Sequence, residues 1–333
     1  MSGKIVTRLT EEYKVEYPLV SAGMAFFGAP ELAIAVCRAG GIGALGVAIL
    51  SPEKTRVMIR EVKQATDRPF HVNFITFMVK EEHIQVCIEE KVPIVSFHWG
   101  LPPTKFIDLL KQAQIKVWQQ VGSVEDAKTA AGNGVDCIIA QGSEAGGHNY
   151  GTLPTMVLVP EIVRAVRPVM VLAAGGITIG RQVAAALCLG ADGVWVGTRL
   201  AASQEAYAHP YYKEKLVQAK GTDTRLDSTF GPEMPQFNPM RLLENEHTRE
   251  FQGKEHLVPT STENEPLLGK LTYWGKEYPL KKFTNFLPIP TTEANLEWMP
   301  LLAGQGVGLI DKILPAGEII ASMMKEAALT LLL

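Results

Sequence analysis

The segment QGSEAGGH, residues 141–148, ends in a histidine that follows two glycines. An imidazole is the side chain best suited to taking or giving a proton near neutral pH. The glycines let the chain lie flat against a ligand, and they come just after an apolar run that predicts a strand. A lone histidine is usually structural, but this position makes His148 the candidate catalytic residue. We interpret Glu144 as a residue that fixes the loop rather than as a base.

Two glycine-containing segments further along, Gly175-Gly176 and Val196-Gly197-Thr198, each follow a later apolar run. Barrel enzymes often bind a phosphate between the loops after their last two strands, with backbone N–H groups as donors. Glycine allows the backbone to approach a phosphate closely, and Thr198 could add a hydroxyl donor. The alternative is that these glycines only make tight turns. We predict that the two segments bind a phosphate group.

Three other strand ends carry groups suited to a flat ring. Ala22-Gly23-Met24 ends the first apolar run, where the backbone of Ala22 and the side chain of Met24 could pad an aromatic ring system. Packing alone would explain Met24 almost as well. Asn73 ends the third run and offers both a donor and an acceptor, which suits a pyrimidine-like edge, although an asparagine can also cap a turn. Gln141 lies at the end of the sixth run, so we expect it to lie near these residues.

Aromatic and amide side chains follow the fourth and fifth apolar runs, which lie between the runs that end in Asn73 and Gln141. His98 and Trp99 follow the fourth run and could line a substrate pocket, although a packed aromatic corner is equally consistent with them. Gln119 and Gln120 end the fifth run, and either side chain could face the mouth. We include Gln119 among the predicted cofactor-binding residues.

These residues must be positioned by a regular alternation of short apolar runs and amphipathic stretches. The predicted strands are Leu19–Gly23, Gly43–Val47, Phe70–Phe74, Ile94–Phe97, Lys116–Val121, Cys137–Ala140, Val169–Ala173 and Gly193–Val196. The predicted helices are Pro30–Ala39, Pro52–Gln64, Glu81–Glu90, Pro103–Gln112, Val124–Asn133, Val159–Val166 and Ile179–Leu189. The runs are apolar without alternation, as strands of a buried parallel sheet are. Eight such units predict an α/β protein with a closed (β/α)8 barrel, and an open doubly wound sheet is the alternative.

The alternation stops after Leu200. Residues 201–300 are polar and rich in proline, which predicts an insertion of helices and loops after strand eight. The apolar helical pattern resumes in Gly306–Leu331 and could close the barrel. We therefore predict a barrel built from residues 1–200 and 301–333, with residues 201–300 as an inserted segment on the substrate side.

Composition excludes several classes of protein. The net charge is −3 and the pI is about 6.2, so no basic field is present to attract nucleic acid or an anionic membrane. The four cysteines are scattered without zinc-ligand spacing, which predicts no metal site and favours a reducing cytoplasm. Residues 1–17 lack the apolar core of a signal peptide, and no apolar run reaches the roughly 18 residues that span a bilayer. The oligomeric state stays open, with a homodimer possible.

The glycine-histidine segment and several others resemble one known family. Ala140–His148 is similar to the signature of the nitronate monooxygenases, formerly called 2-nitropropane dioxygenases. Further segments similar to that family are Tyr17–Met24, Leu32–Gly46, Val72–Phe74, Ala174–Ile177, Val196–Arg199, Ala303–Gln305 and Gly308–Ile310. The resemblance covers nearly the whole chain and is weakest in residues 201–300.

The resemblance implies an FMN-binding barrel that oxidises alkyl nitronates with O2 to a carbonyl compound and nitrite. His148 would be catalytic, by binding the nitronate anion or by removing a proton from the carbon of a neutral nitroalkane. The residues implied to contact FMN are Asn73, Gln141, Gly146 and Gly176 and the stretch Trp195–Thr198, to which we add Ala22, Gly23, Met24, Gln119, Gly147 and Gly175.

Two features leave the substrate open. The family often has Ala-Pro-Met at the first strand end, whereas this chain has Ala22-Gly23-Met24. The same overall pattern is shared by flavin-dependent enoyl-acyl-carrier-protein reductases and by some NADH:quinone reductases. An NAD(P)H-dependent reductase acting on quinones or enoyl thioesters is therefore the second hypothesis, and a non-catalytic flavin-binding protein is the third.

Overall fold

The computed structural model describes residues 5–332, and its eight parallel strands lie at the eight predicted positions. The barrel strands are β1 (Leu19–Ser21), β2 (Gly43–Gly46), β3 (Phe70–Ile75), β4 (Ile94–His98), β5 (Lys116–Val121), β6 (Cys137–Gln141), β7 (Met170–Ala174) and β8 (Gly193–Val196). Every predicted strand end lies within two residues of the observed one. The strands are buried on both faces, which is why their sequences are apolar without alternation.

The eight strands form a closed barrel. Their order is β1-β8-β7-β6-β5-β4-β3-β2, with every pair parallel. The circle is completed between β1 and the start of β2. There, the Ser21 N–H donates to the Ile42 carbonyl at 2.9 Å, and the Ile42 N–H donates to the Leu19 carbonyl at 3.0 Å. The prediction of a (β/α)8 barrel is confirmed, and the open doubly wound alternative is wrong.

Helices surround the barrel and close its lower end. The helices are α1 (Arg8–Tyr13), α2 (Pro30–Arg38), α3 (Pro52–Ala65), α4 (Glu81–Glu89), α5 (Thr104–Gln112), α6 (Val124–Gly132), α7 (Thr155–Val166), α8 (Gly180–Cys188), α9 (Thr198–Ala201), α10 (Pro210–Gln218), α11 (Glu246–Phe251) and α12 (Ala316–Thr330). Leu9 and Tyr13 of α1 pack against the aromatic residues inside the barrel, and the Tyr13 hydroxyl accepts a hydrogen bond from Trp118 Nε1 at 2.9 Å. The interior is therefore filled from below, and space remains at the carboxyl ends of the strands.

Two helices begin elsewhere than predicted. Helix α7 begins at Thr155, four residues before the predicted Val159, so Pro160 lies inside the helix rather than in its first turn. The predicted helix Gly306–Leu331 is instead a 3-10 turn at Gln305–Leu309 followed by α12. Helix α12 starts directly after Pro315, and a proline in the interior of one continuous helix would have removed a hydrogen bond and clashed with the preceding turn.

Residues 201–300 contain strands as well as helices and loops. These strands are β9 (Thr224–Asp227), β10 (Met240–Leu243), β11 (Leu267–Tyr273), β12 (Lys276–Lys281) and β13 (Thr292–Ala294). They form two three-stranded antiparallel sheets, in the orders β9-β10-(147–148) and β12-β11-β13. The expectation of helices and loops missed them because they are short and partly polar, and because Pro279 lies in edge strand β12. The proposed domain bounds stay a prediction, and residues 1–4 and 333 within them lie outside the described residues.

Candidate active site

A cavity of about 370 Å³ opens at the carboxyl ends of the barrel strands. This volume is within the range of small-molecule and cofactor sites. The predicted site residues that line it are Ala22, Gly23, Met24, Asn73, His98, Gln141, Gly146, Gly147, His148, Gly175, Gly176, Trp195, Gly197 and Thr198. The strands thus bring together side chains that are up to 176 residues apart in the chain, from Ala22 to Thr198.

Gln119 and Val196 lie outside the cavity because successive side chains of a strand point to opposite faces. Gln120 lines the cavity, so the side chain of its neighbour Gln119 points away and donates from Nε2 to the carbonyl of Gly100 at 2.8 Å. Trp195 likewise lines the cavity while Val196 is buried on the other face. The structure therefore places Gln120 at the cavity, and it does not place the predicted Gln119 there.

Trp99 supports the cavity wall from behind. Its Nε1 donates to the Gln236 carbonyl at 2.7 Å, and its ring meets His148 edge-on with the ring centroids 5.9 Å apart. Its backbone has a left-handed φ of 65°, which turns the chain away from the cavity directly after β4. Of the two predicted substrate-pocket residues, His98 therefore lines the cavity and Trp99 does not.

His148 is held by the 201–300 segment. Gly147 and His148 form a two-residue strand that pairs with Met240 and Arg241 of β10. His148 Nδ1 lies 2.5 Å from the Phe237 carbonyl, and the imidazole stacks on the Phe237 ring. Because a carbonyl can only accept, Nδ1 carries the proton and Nε2 is left with a free lone pair.

Burial keeps His148 neutral. Desolvation, and then the proximity of His98, lower its pKa from 6.5 to about 3, against the opposite effect of the hydrogen bond to Phe237. Burial also lowers the pKa of His98 to about 4. His98 Nδ1 accepts a hydrogen bond from Gln120 Nε2 at 2.9 Å, so its proton lies on Nε2. The site therefore presents two uncharged imidazoles at neutral pH.

Two amides present oxygen atoms at the cavity. Asn73 Nδ2 donates to Ser96 Oγ at 2.8 Å, and Gln141 Nε2 donates to the His148 carbonyl at 3.2 Å. Among residues 5–332, neither Asn73 Oδ1 nor Gln141 Oε1 receives a hydrogen bond. Both oxygens are thus available to N–H groups of a ligand.

Glycines form part of the cavity wall. Gly175 and Gly176 have φ values of 108° and 71°, a left-handed backbone that favours glycine. Gly304 packs against Gly146 so closely that a Cβ on Gly146 would lie 2.4 Å from the Gly304 nitrogen. The Gly304 N–H donates to Thr198 Oγ1 at 3.0 Å, so the Thr198 hydroxyl is partly engaged by the tail of the chain.

Polar side chains at the cavity are uncharged. Within the described part of the chain, no lysine, arginine, aspartate or glutamate lines the cavity. Glu144 accepts hydrogen bonds from Thr155 N and Oγ1 at 2.8 and 2.9 Å, in agreement with its interpretation as a loop-fixing residue. The residues that the structure describes contain no cluster of histidine, cysteine, aspartate or glutamate suited to a metal ion.

Many lining residues were not predicted, and several of them belong to the inserted segment and the tail. These include Tyr212, Phe237, Phe286, Leu302 and Gly304. Strand alternation could have decided between Gln119 and Gln120. Trp118 fills the barrel interior, so Gln120, two residues further along the strand, faces the same side and Gln119 faces the opposite side. Gly304 lies in the family-like segment Ala303–Gln305. The other residues carry no local pattern that indicates a site, because long-range packing alone brings them to the mouth.

Comparison with known proteins gives the family. The family model described as nitronate monooxygenase matches residues 6–84 and 75–326. The chain belongs to the nitronate monooxygenase family. Family membership identifies the protein as an oxidoreductase enzyme, and the family resemblance found in the sequence is confirmed.

Three relatives illustrate the range of similarity within and around this family. A probable nitronate monooxygenase of Staphylococcus saprophyticus is 30% identical over 97% of this chain and 98% of its own length. The structure of FabK from Thermotoga maritima is 37% identical, covers 98% of this chain and 97% of that chain, and has a TM-score of 0.82. A nitroalkane oxidase from Streptomyces ansochromogenes is 26% identical, with coverages of 97% and 98% and a TM-score of 0.79.

None of the helices in residues 5–332 is long and apolar enough to cross a membrane.

Proposed function

We propose that the cavity binds FMN. The glycine turns at Gly175, Gly176 and Gly197 offer backbone N–H groups to a phosphate, which suits a cavity wall without cationic side chains. Asn73 Oδ1 and Gln141 Oε1 offer acceptors to the N–H groups of a flavin ring. The closely packed glycines keep side chains out of the space that a planar ring needs. These features support a fit between the described residues and this cofactor.

The proposed reaction is the oxidation of alkyl nitronates by O2 to a carbonyl compound and nitrite. When bound, FMN would supply the redox chemistry that links oxidation of the nitronate to reduction of O2. The protein supplies binding and orientation, and the aromatic and aliphatic wall excludes water from the reacting groups.

The observation that carries the role of His148 is its hydrogen bond to the Phe237 carbonyl. This bond leaves Nε2 unprotonated on a residue that lines the cavity, and the pKa of about 3 keeps it so at neutral pH. Such an imidazole can take the proton from the carbon of a neutral nitroalkane. It cannot hold a nitronate anion by charge, so of the two roles we favour the base.

One observation favours a second activity, the NAD(P)H-dependent reduction of quinones or enoyl thioesters. The cavity offers no cationic side chain to a nitronate anion, whereas its apolar wall suits an uncharged electron acceptor equally well. This second activity needs the same flavin and the same barrel, and differs in the electron donor.

The two activities are separated by the donor that reduces the flavin. The purified protein is mixed anaerobically with a nitroalkane, with its preformed nitronate, or with NADH or NADPH, and O2 is then readmitted. Fast bleaching of the flavin by nitroalkane or nitronate, with nitrite formed on aeration and no response to pyridine nucleotides, supports the oxidase reaction. Fast bleaching by NADH or NADPH with silence toward nitronates would overturn it and establish a reductase.

A further inference from the structure

A chain of buried hydrogen bonds runs beneath the cavity floor and ends at Asn73. His71 lies inside the barrel with no exposed surface, between β1 and β4. Its Nε2 lies 2.9 Å from the Ser21 carbonyl and its Nδ1 lies 2.9 Å from Ser96 Oγ. Ser96 Oγ is in turn 2.8 Å from Asn73 Nδ2. The Trp195 ring, which lines the cavity, covers His71 with the ring centroids 4.6 Å apart.

Each proton in this chain has one possible place. The Ser21 carbonyl can only accept, so His71 Nε2 carries the ring proton. Burial lowers the pKa of His71 to about 4, so the ring stays neutral and Nδ1 must accept. The Ser96 hydroxyl therefore donates its single proton to Nδ1. Ser96 Oγ is left as an acceptor on its other side, and it can meet only the nitrogen of the Asn73 amide.

We propose that His71 and Ser96 are positioning residues that fix the Asn73 amide with Oδ1 toward the cavity, where it accepts a hydrogen bond from an N–H of the bound cofactor. This inference rests on the proposed cofactor site but not on the reaction carried out there. A reversed amide would place Oδ1 against the lone pair of Ser96 Oγ and lose the hydrogen bond to Ser96. It would also present the donors on Nδ2 to the N–H of the cofactor.

Gly23 leaves the space in which this amide sits. A Cβ at position 23 would lie 2.2 Å from Asn73 Cβ and Cγ and 2.4 Å from Oδ1. Any residue other than glycine at this position therefore displaces the Asn73 side chain. Gly23, where this chain departs from the family's Ala-Pro-Met pattern, thus packs directly against Asn73, the residue whose orientation His71 and Ser96 fix.

The test is a double-mutant cycle read by FMN affinity rather than by turnover. Apoprotein is titrated with FMN and the quenching of flavin fluorescence is followed for wild type, Ser96→Ala, Asn73→Ala and the double variant. We expect Ser96→Ala and Asn73→Ala each to weaken binding about three- to ten-fold, as for one hydrogen bond. The double variant should bind FMN no more weakly than Asn73→Ala does, because Ser96 acts on FMN binding only through Asn73. Additive losses would overturn the proposal.

Two further measurements guard against variants that merely unfold. Ser96→Thr keeps the hydroxyl and should retain an affinity closer to wild type than Ser96→Ala does. In the wild-type apoprotein, 15N NMR of the histidine rings should find the His71 proton on Nε2, and a proton on Nδ1 would overturn the proposal. A protein that binds FMN with this cycle but does not oxidise nitronates would refute the proposed reaction and leave this inference standing, whereas failure of the wild type to bind FMN would refute both.

Discussion

At the scale of single residues, the protonation of His148 is set by a peptide carbonyl 89 positions away in the chain. The Phe237 carbonyl holds the proton on Nδ1, and burial prevents a second proton from binding. The nitrogen left free belongs to a residue that lines the cavity. A pKa of about 3 makes His148 a weak base, because general-base catalysis is most efficient when the pKa lies near the working pH. The role proposed for His148 therefore depends on the placement of Nε2 beside the carbon of the substrate.

We expect His148→Ala and His148→Asn to lower kcat for a neutral nitroalkane by about 10²- to 10⁴-fold, the usual contribution of a general base. FMN content, measured by absorbance after gel filtration, should stay close to wild type. Preformed nitronate, which needs no deprotonation at carbon, should lose much less activity. Loss of FMN in these variants would instead make His148 a cofactor-binding residue.

Gly146 tests the close packing of the cavity wall. Gly146→Ala places a Cβ 2.4 Å from the Gly304 nitrogen and 2.5 Å from the Ala303 carbonyl carbon, so one of these backbones must move. We expect FMN to bind at least about tenfold more weakly and stability to fall by about 1–3 kcal/mol, the usual cost of overpacking. Gly132→Ala is the matched control, because a Cβ there meets nothing within 4 Å. Equal behaviour of the two variants would argue against a tight wall.

At the scale of elements, strand β10 connects the inserted segment to the 141–148 loop, which carries His148. Its Arg241 is nearly buried, and burial lowers its pKa from the usual value. Arg241 Nε donates to the Ser143 carbonyl at 3.0 Å, and the strand pairs with Gly147 and His148. The loop that carries His148 is therefore held by a strand that lies outside the barrel.

We expect Arg241→Ala to loosen the 141–148 loop, because the Ser143 carbonyl loses a charge-assisted hydrogen bond of about 1.5–3 kcal/mol. Amide hydrogen exchange in that loop should become faster while the barrel strands keep their protection. Arg225→Ala on neighbouring β9 is the control, since Arg225 bonds to the Thr248 carbonyl and not to the loop. Unchanged exchange in Arg241→Ala would mean that pairing with β10 alone orders the loop.

The elements also show what the sequence could and could not predict. Polar residues at the ends of parallel strands were predicted to meet, because these ends share one edge of the barrel, and Asn73 and Gln141 do so. Gln119 was chosen over Gln120 although strand alternation separates them. Phe237 and β10 were missed because no local periodicity encodes a pairing with residues 147–148. The sequence thus predicted the cavity residues that lie at the ends of barrel strands. It did not predict those that only tertiary packing brings to the cavity.

At the scale of the whole molecule, desolvation lowers the pKa of four histidines well below neutrality. The pKa values of His71 and His98 fall to about 4 and those of His148 and His247 to about 3, with burial as the main cause in each. His247 lies in the inserted segment, where Nε2 is 2.8 Å from Thr229 Oγ1 and Nδ1 has no hydrogen-bond partner among residues 5–332. Folding therefore keeps protons off these rings.

Because these folded-state values lie below 6.5, the unfolded chain binds more protons between about pH 4 and 6.5. We expect stability to be complete above about pH 6.5 and to fall as the pH is lowered below that value, because the unfolded chain then binds more protons than the folded protein. Urea unfolding of the apoprotein from pH 4.5 to 8 measures this slope. His247→Phe should lower the slope, whereas His256→Gln, which replaces an exposed histidine, controls for the loss of one imidazole. Equal slopes in wild type and His247→Phe would contradict the prediction.

The contact of Gly304 with Thr198 and Gly146 also bears on biosynthesis. All eight barrel strands leave the ribosome before residue 303 is translated, but the cavity still lacks the backbone that packs on the 144–146 loop through Gly304 and Gln305. A nascent chain stalled before this point should release added flavin, whereas one stalled well beyond it should retain it. Cofactor capture would then be a late event that reports completion of the polypeptide.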